Sequence, residues 1–73
     1  MRVGQRYKLT RPVRAIETIN GEMLLTTIQA GGIVEVVAIP TDKSDPLVDV
    51  LLEGRTFSLR AVLLAARAEE MVE

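Results

Sequence analysis

Five cations, Arg2, Arg6, Lys8, Arg11 and Arg14, fall within residues 1–14 with no acid among them, a local charge of +5. If Arg6 and Lys8 project from one side of a strand with Arg2 and Arg14 nearby, the group can touch several phosphates. Such a contact is salt-sensitive and indifferent to base sequence. The same residues serve equally well on a solvated edge strand, where Lys and Arg block edge-to-edge aggregation, or as partners for the acidic middle of the chain. That middle, residues 15–53, holds seven acids against Lys43 alone, a local charge of −6. Tyr7 and Phe57 are the only aromatics, whereas single-strand binders commonly offer several stacking platforms. Nucleic acid is thus an admissible partner that the residues do not favour.

Asp42, Asp45 and Asp49, with Ser44, gather carboxylates in and beside one stretch, the raw material for a hard cation. Their spacing matches no EF-hand loop and lacks its central glycine, and Asp is a common turn residue. No metal site is assigned, and no cofactor. The hydroxyl residues include no serine in a nucleophile-elbow context, and the chain has neither His nor Cys. Proton transfer would fall to Lys and carboxylates alone. The expectation is a protein that is not an enzyme. The remaining catalytic option is an oligomer whose site forms at a subunit junction.

These side chains must be carried by short strands. Asn20-Gly21, between Val13–Ile19 and Glu22–Ile28, tolerates the two positive φ angles of a type I′ hairpin turn. Ala30-Gly31-Gly32 breaks the chain before Ile33–Ile39, which is rich in β-branched residues and ends at Pro40. Residues 41–46 are a polar, proline-punctuated loop, and Leu47–Leu52 is a further strand. Glu53-Gly54-Arg55 turns tightly into Thr56–Leu59. Gly4–Thr10 alternates enough to open the domain, and Pro12 marks a strand end or an edge. Over residues 60–72 a long helix would lose its apolar stripe before its end and would collect acids where the helix dipole disfavours them. A 3₁₀ turn at residues 60–62, a short strand at 64–67 and frayed residues 69–73 fit better. The N-terminal residues 1–4 are likewise expected to fray.

The 73 residues suffice for a single domain and one core. A core of this size rarely supplies more than roughly 3–5 kcal/mol, and chains without disulfides or metals commonly gain the rest by oligomerising. The longest uncharged run, Met23 to Val34, is 12 residues, short of the roughly 18 needed to span a bilayer. No segment reads as an export signal, so the expectation is a cytoplasmic protein without membrane contact.

The apolar pattern is the most informative. If Val34, Val36 and Ala38 face the core, then Ile33, Val37 and Ile39 face out with only Glu35 among them. Placing Val48, Val50 and Leu52 inward leaves Leu47 and Leu51 outside beside Asp49. Strands of a half-exposed sheet should be polar on one face, and these are largely apolar on both. Either the tail or the N-terminal arm covers the second face, or Ile33, Val37, Ile39, Leu47 and Leu51 form a self-association surface. A symmetric dimer is the commonest product of such a surface.

Residues 28–36, Ile28-Gln29-Ala30-Gly31-Gly32-Ile33-Val34-Glu35-Val36, resemble the I-x-A-G-x-x-V-x-V lead into a barrel strand of small bacterial SH3-like domains. Val48–Arg55 is similar to the strand and tight turn that follow, and Phe57–Leu63 to the last hairpin strand with its 3₁₀ turn. The resemblance covers residues 28–64 and implies an all-β, five- to six-stranded SH3-like open barrel. It implies no particular function, because many functions share that barrel. Two aromatics build neither a proline-peptide groove nor a methyl-lysine cage.

Overall fold

The computed structural model describes residues 1–39 and 47–71. Its elements are β1 (Arg6–Leu9), β2 (Val13–Ile19), β3 (Glu22–Ile28), β4 (Ile33–Ala38), β5 (Leu47–Leu52), β6 (Arg55–Arg60), α1 (Ala61–Arg67) and β7 (Ala68–Met71). The strands pair antiparallel throughout and form one seven-stranded sheet in the order β3-β2-β6-β5-β4-β1-β7. Because β3 and β7 each have a single neighbour, the sheet is open.

Two tight hairpins set the registers. Asn20 (φ 52°) and Gly21 (φ 81°) join β2 to β3, with Ile19 opposite Glu22. Glu53 (φ 51°) and Gly54 (φ 79°) join β5 to β6, with Leu52 opposite Arg55. Paired positive φ angles give the turn a twist that matches the strands it connects, as the Asn-Gly pair led us to expect.

Side-chain alternation then sends one set of residues to the core. Tyr7 and Leu9 in β1, Val13 and Ala15 in β2, Val34 and Val36 in β4, Val48 and Val50 in β5, and Phe57 and Leu59 in β6 are all buried. Register makes this set continuous: Val36 faces Val50, Val50 faces Phe57, and Phe57 faces Glu17. A single sheet that buries one face against itself must curl, and α1 supplies the missing plug by inserting Leu64, which is fully buried.

The C-terminal region corrects the sequence reading. Residues 61–67 are an α-helix, not a 3₁₀ turn followed by a strand at 64–67, and the last strand is Ala68–Met71. The strand count is therefore seven, and Glu69–Met71 are paired with β1 where fraying was expected. The physical reason lies in the acids. The Ala-rich segment favours helix, but the helix stops at Arg67, whose charge suits a helix C-terminus, before Glu69 and Glu70 would oppose the dipole. Thr10 fixes this exit by donating from its N and Oγ1 to the Arg67 carbonyl, at 2.8 and 3.0 Å.

A second correction concerns Ala38. Val36 faces Val50 but Ala38 faces Asp49, so Val37 is an extra residue in β4. This β-bulge turns Ala38 away from the core position that simple alternation predicts, and it is exposed. The loop expected at residues 41–46, with Asp42 and Asp45, lies outside the described residues.

Candidate functional site

The five residues of the expected self-association surface, Ile33, Val37, Ile39, Leu47 and Leu51, are all exposed. The described part of the tail does not cover them, because Ala68–Met71 pair along β1 at the edge of the sheet. Register also places polar groups among them. Leu51 lies opposite Glu35 on one side and Thr56 on the other, Leu47 faces Arg60, and Ile33 faces Lys8. Between Leu47 and Leu51 stands Asp49, which accepts a hydrogen bond from Ser58 Oγ at 2.6 Å. The outer face of β4 and β5 is thus apolar at separate points with half-buried carboxylates between them.

The most exposed apolar side chains lie elsewhere. Met23 and Leu25 are 70% and 68% exposed, against 36% for Val37 and 38% for Leu51. Both belong to β3, an outermost strand of the sheet, and Leu24 between them is exposed too. Register carries the apolar surface inward from there, since Leu25 faces Ile16 of β2. Beside that pair runs an apolar groove of about 230 Å³ lined in part by Ile16, Leu25, Leu47, Leu59 and Leu63. Leu47, one of the expected surface residues, therefore belongs to the β3 side of the molecule. The signal for this strand was present in the sequence: three consecutive apolar residues, Met23 to Leu25, one residue past a turn, a pattern that an exposed strand carries only for a reason.

Arg2, Arg6, Lys8, Arg11 and Arg14 are also exposed, but the fold disperses them. Arg6 faces Glu35 and Lys8 faces Glu69, so the β1 cations sit in acidic company. Arg14 is carried by β2, and three strands separate β2 from β1 in the sheet. It shares a groove with Pro12, Thr27, Leu63 and Arg67. Arg67 also donates from Nη1 to the Pro12 carbonyl at 3.3 Å.

Two polar clusters tie neighbouring strands, one joining β2 to β6 and the other β1 to β7. Glu17, the one buried charged residue among those described, accepts from Arg55 Nε at 2.6 Å and from Arg55 Nη2. The Arg55 guanidinium in turn lies 5.3 Å from the Phe57 ring centroid, within cation–π reach. Hydrogen bonding to Arg55 holds the Glu17 carboxyl below its ordinary range, against the opposing effect of burial. In the second cluster, Tyr7 Oη donates to Gln5 Oε1 at 2.9 Å and Gln5 Nε2 donates to Glu70. Burial, and secondarily the charge of Glu70, raises the Tyr7 hydroxyl above its usual range. Each cluster is internally satisfied and joins neighbouring elements.

Among the described residues no group of three or more acids gathers with metal-ligand geometry, and no helix is long and apolar enough to cross a membrane. The chain matches no family model, no curated protein and no solved structure.

Proposed function

We propose that this chain is a non-enzymatic interaction module, a small barrel of the SH3-like kind, that self-associates through the outer face of its sheet at residues 33–39 and 47–52. The observation that carries this reading is the exposure of Ile33, Val37, Ile39, Leu47 and Leu51 on a fold whose core is already filled by other side chains. Burying such residues against a second copy stabilises by about 25 cal/mol per Å² of apolar area, a gain that a domain with so small a core can use. The non-enzymatic part rests on the sequence, which lacks the His and Cys that most often serve as base and nucleophile. The barrel assignment is supported by the run of short antiparallel strands and by the single helical plug before the last of them.

Size-exclusion chromatography with light scattering tests the reading on wild type and on Val37→Lys. The expected result is a wild-type mass at or above twice the 8.0 kDa of one chain, lowered by the substitution. A wild-type monomer at micromolar concentration overturns it. The alternative, a nucleic-acid reading, uses Arg2, Arg6, Lys8, Arg11 and Arg14, of which Arg14 lines a groove with Arg67. Titration with mixed DNA and RNA at low and moderate salt separates it, since phosphate contacts give affinity that falls steeply with salt.

A further inference from the structure

We infer that β3 is a dimerisation edge: the outer side of Glu22–Ile28 pairs antiparallel with the same strand of a second copy, about a two-fold axis through Leu25. This rests on the self-association reading and assigns the contact to the edge of the sheet in place of the outer face of β4 and β5.

The backbone fixes the register. The two-residue turn at Asn20-Gly21 makes Ile19 and Glu22 its flanking pair, and in such a turn the Glu22 N–H bonds back to the Ile19 carbonyl. In an antiparallel ladder the direction of the backbone groups alternates along each strand. Glu22, Leu24, Thr26 and Ile28 therefore bond to β2, and the N–H and C=O groups of Met23, Leu25 and Thr27 point away from it. Among the described residues no backbone or side-chain partner meets these outward groups. A second β3 satisfies all of them in one arrangement: Leu25 faces Leu25, and Met23 of each copy faces Thr27 of the other.

The side chains suit the same axis. Leu25 projects on the outer face beside Ile16, so pairing builds an uninterrupted apolar row of Ile16, Leu25, Leu25 and Ile16 across the two copies. Neither Met23–Ile28 nor the axis carries a charge. The single acid of the strand, Glu22, lies opposite Ile28 of the other copy, which sets the two Glu22 residues roughly 20 Å apart at ~3.4 Å per residue. Like-charge repulsion is therefore absent from the contact. An isologous pairing of this kind closes after two copies, as symmetric dimers do. The strand has no Lys, Arg or Pro to keep its edge from pairing, its one acid stands at its first residue, and it runs a full seven residues.

Cysteine cross-linking tests the axis, and the absence of native cysteine makes a single introduced thiol unambiguous. In the proposed register the two Leu25 Cα atoms lie about 5.5 Å apart, inside the ~4.4–6.8 Å range of disulfides. Each Met23 lies roughly 14 Å from its own counterpart at ~3.4 Å per residue. Oxidised Leu25→Cys should run as a covalent dimer on non-reducing gels, and Met23→Cys should not. Leu25→Lys should return the protein to monomer with its circular dichroism unchanged, because the side chain and N–H at this position serve only the outer side. A wild-type dimer that Val37→Lys or Leu51→Lys dissociates, that Leu25→Lys leaves intact and that Leu25→Cys does not cross-link, overturns the edge and keeps self-association. A wild-type monomer overturns both.

Discussion

The two outer strands of the sheet handle the same hazard in opposite ways. Each presents unpaired backbone groups to solvent, which invites another strand. β7 is four residues long and carries Glu69 and Glu70, one facing Lys8 and the other hydrogen-bonded to Gln5. β3 is seven residues long and shows Met23, Leu24 and Leu25 in succession. One edge is short and charged, the other long and apolar. Edge protection in this fold is therefore local, strong at β7 and weak at β3, the edge we propose for pairing.

The edges also differ in what holds them, and the largest expected effect comes from the β7 side. Leu64 is the one fully buried side chain of α1, and α1 delivers the chain into β7. Leu64→Ala should cost about 2–5 kcal/mol by urea denaturation, the range for emptying a leucine site in a packed core. Amide exchange should rise in β7 and β1 more than in the β2–β3 hairpin. Equal loss at both edges would mean that the plug supports the whole sheet and that the contrast drawn between its ends is false.

On the β3 side the equivalent weak point is a turn. Gly21 sits at φ 81° with open space where a Cβ would project, so Gly21→Ala meets only backbone strain. The expected cost is about 1–2 kcal/mol, that of a side chain in the left-handed region, read by the same denaturation. The register of β3 depends on this turn, so Leu25→Cys cross-linking should weaken in the double variant.

The hairpin that carries β3 was legible because Asn20-Gly21 and Glu53-Gly54 are backbone signals, local to four residues each. The β5 strand was legible from its dense aliphatic run, and it forms at Leu47–Leu52 as expected. The outward placing of Ala38 was not, because a bulge depends on what the facing strand does at Asp49. Nor was β7: whether Glu69 and Glu70 extend a helix or a strand depends on Lys8 and Gln5, some 60 residues away in sequence. For the surface, exposure of Ile33, Val37, Leu47 and Leu51 agrees with alternation, whereas Ile39 is exposed beyond the bulge that breaks it. That Glu35, Asp49 and Arg60 stand between them follows only from register, and the standing of β3 as an edge only from strand order.

Acid should separate the two edges next. Among the described residues β2 joins β6 at Ile16–Ser58 and Glu17–Phe57, so the Glu17–Arg55 pair reinforces a short ladder. The Glu17 carboxyl is held below its ordinary range when folded. Its contribution is therefore complete above the unfolded value of about 4.3 and is lost as pH falls through the lower, folded value. Melting temperature should drop over that window in wild type, and Glu17→Gln should start a few degrees lower at neutral pH with a flatter acid response. Exchange in β2 and β3 should lead. A wild-type acid profile unchanged by Glu17→Gln would remove this pair as the hairpin's clamp.

The smallest effect on stability should come with the sharpest effect on association. Glu69 is exposed on β7 opposite Lys8. Glu69→Val should thus shift stability by no more than about 0.5 kcal/mol, because a surface change that breaks no buried contact has little to lose. It does remove one of two charges guarding the edge. With β3 already able to pair, unguarding β7 gives the molecule two adhesive edges, and a chain with two such edges builds open-ended assemblies where one edge stops at a dimer. Light scattering of Glu69→Val should show species larger than the wild-type assembly, growing with concentration. Adding Leu25→Lys should cap that growth by closing the opposite edge. If Glu69→Val leaves the assembly unchanged, the acids of β7 are not what keeps that edge free, and its four-residue length is the better explanation.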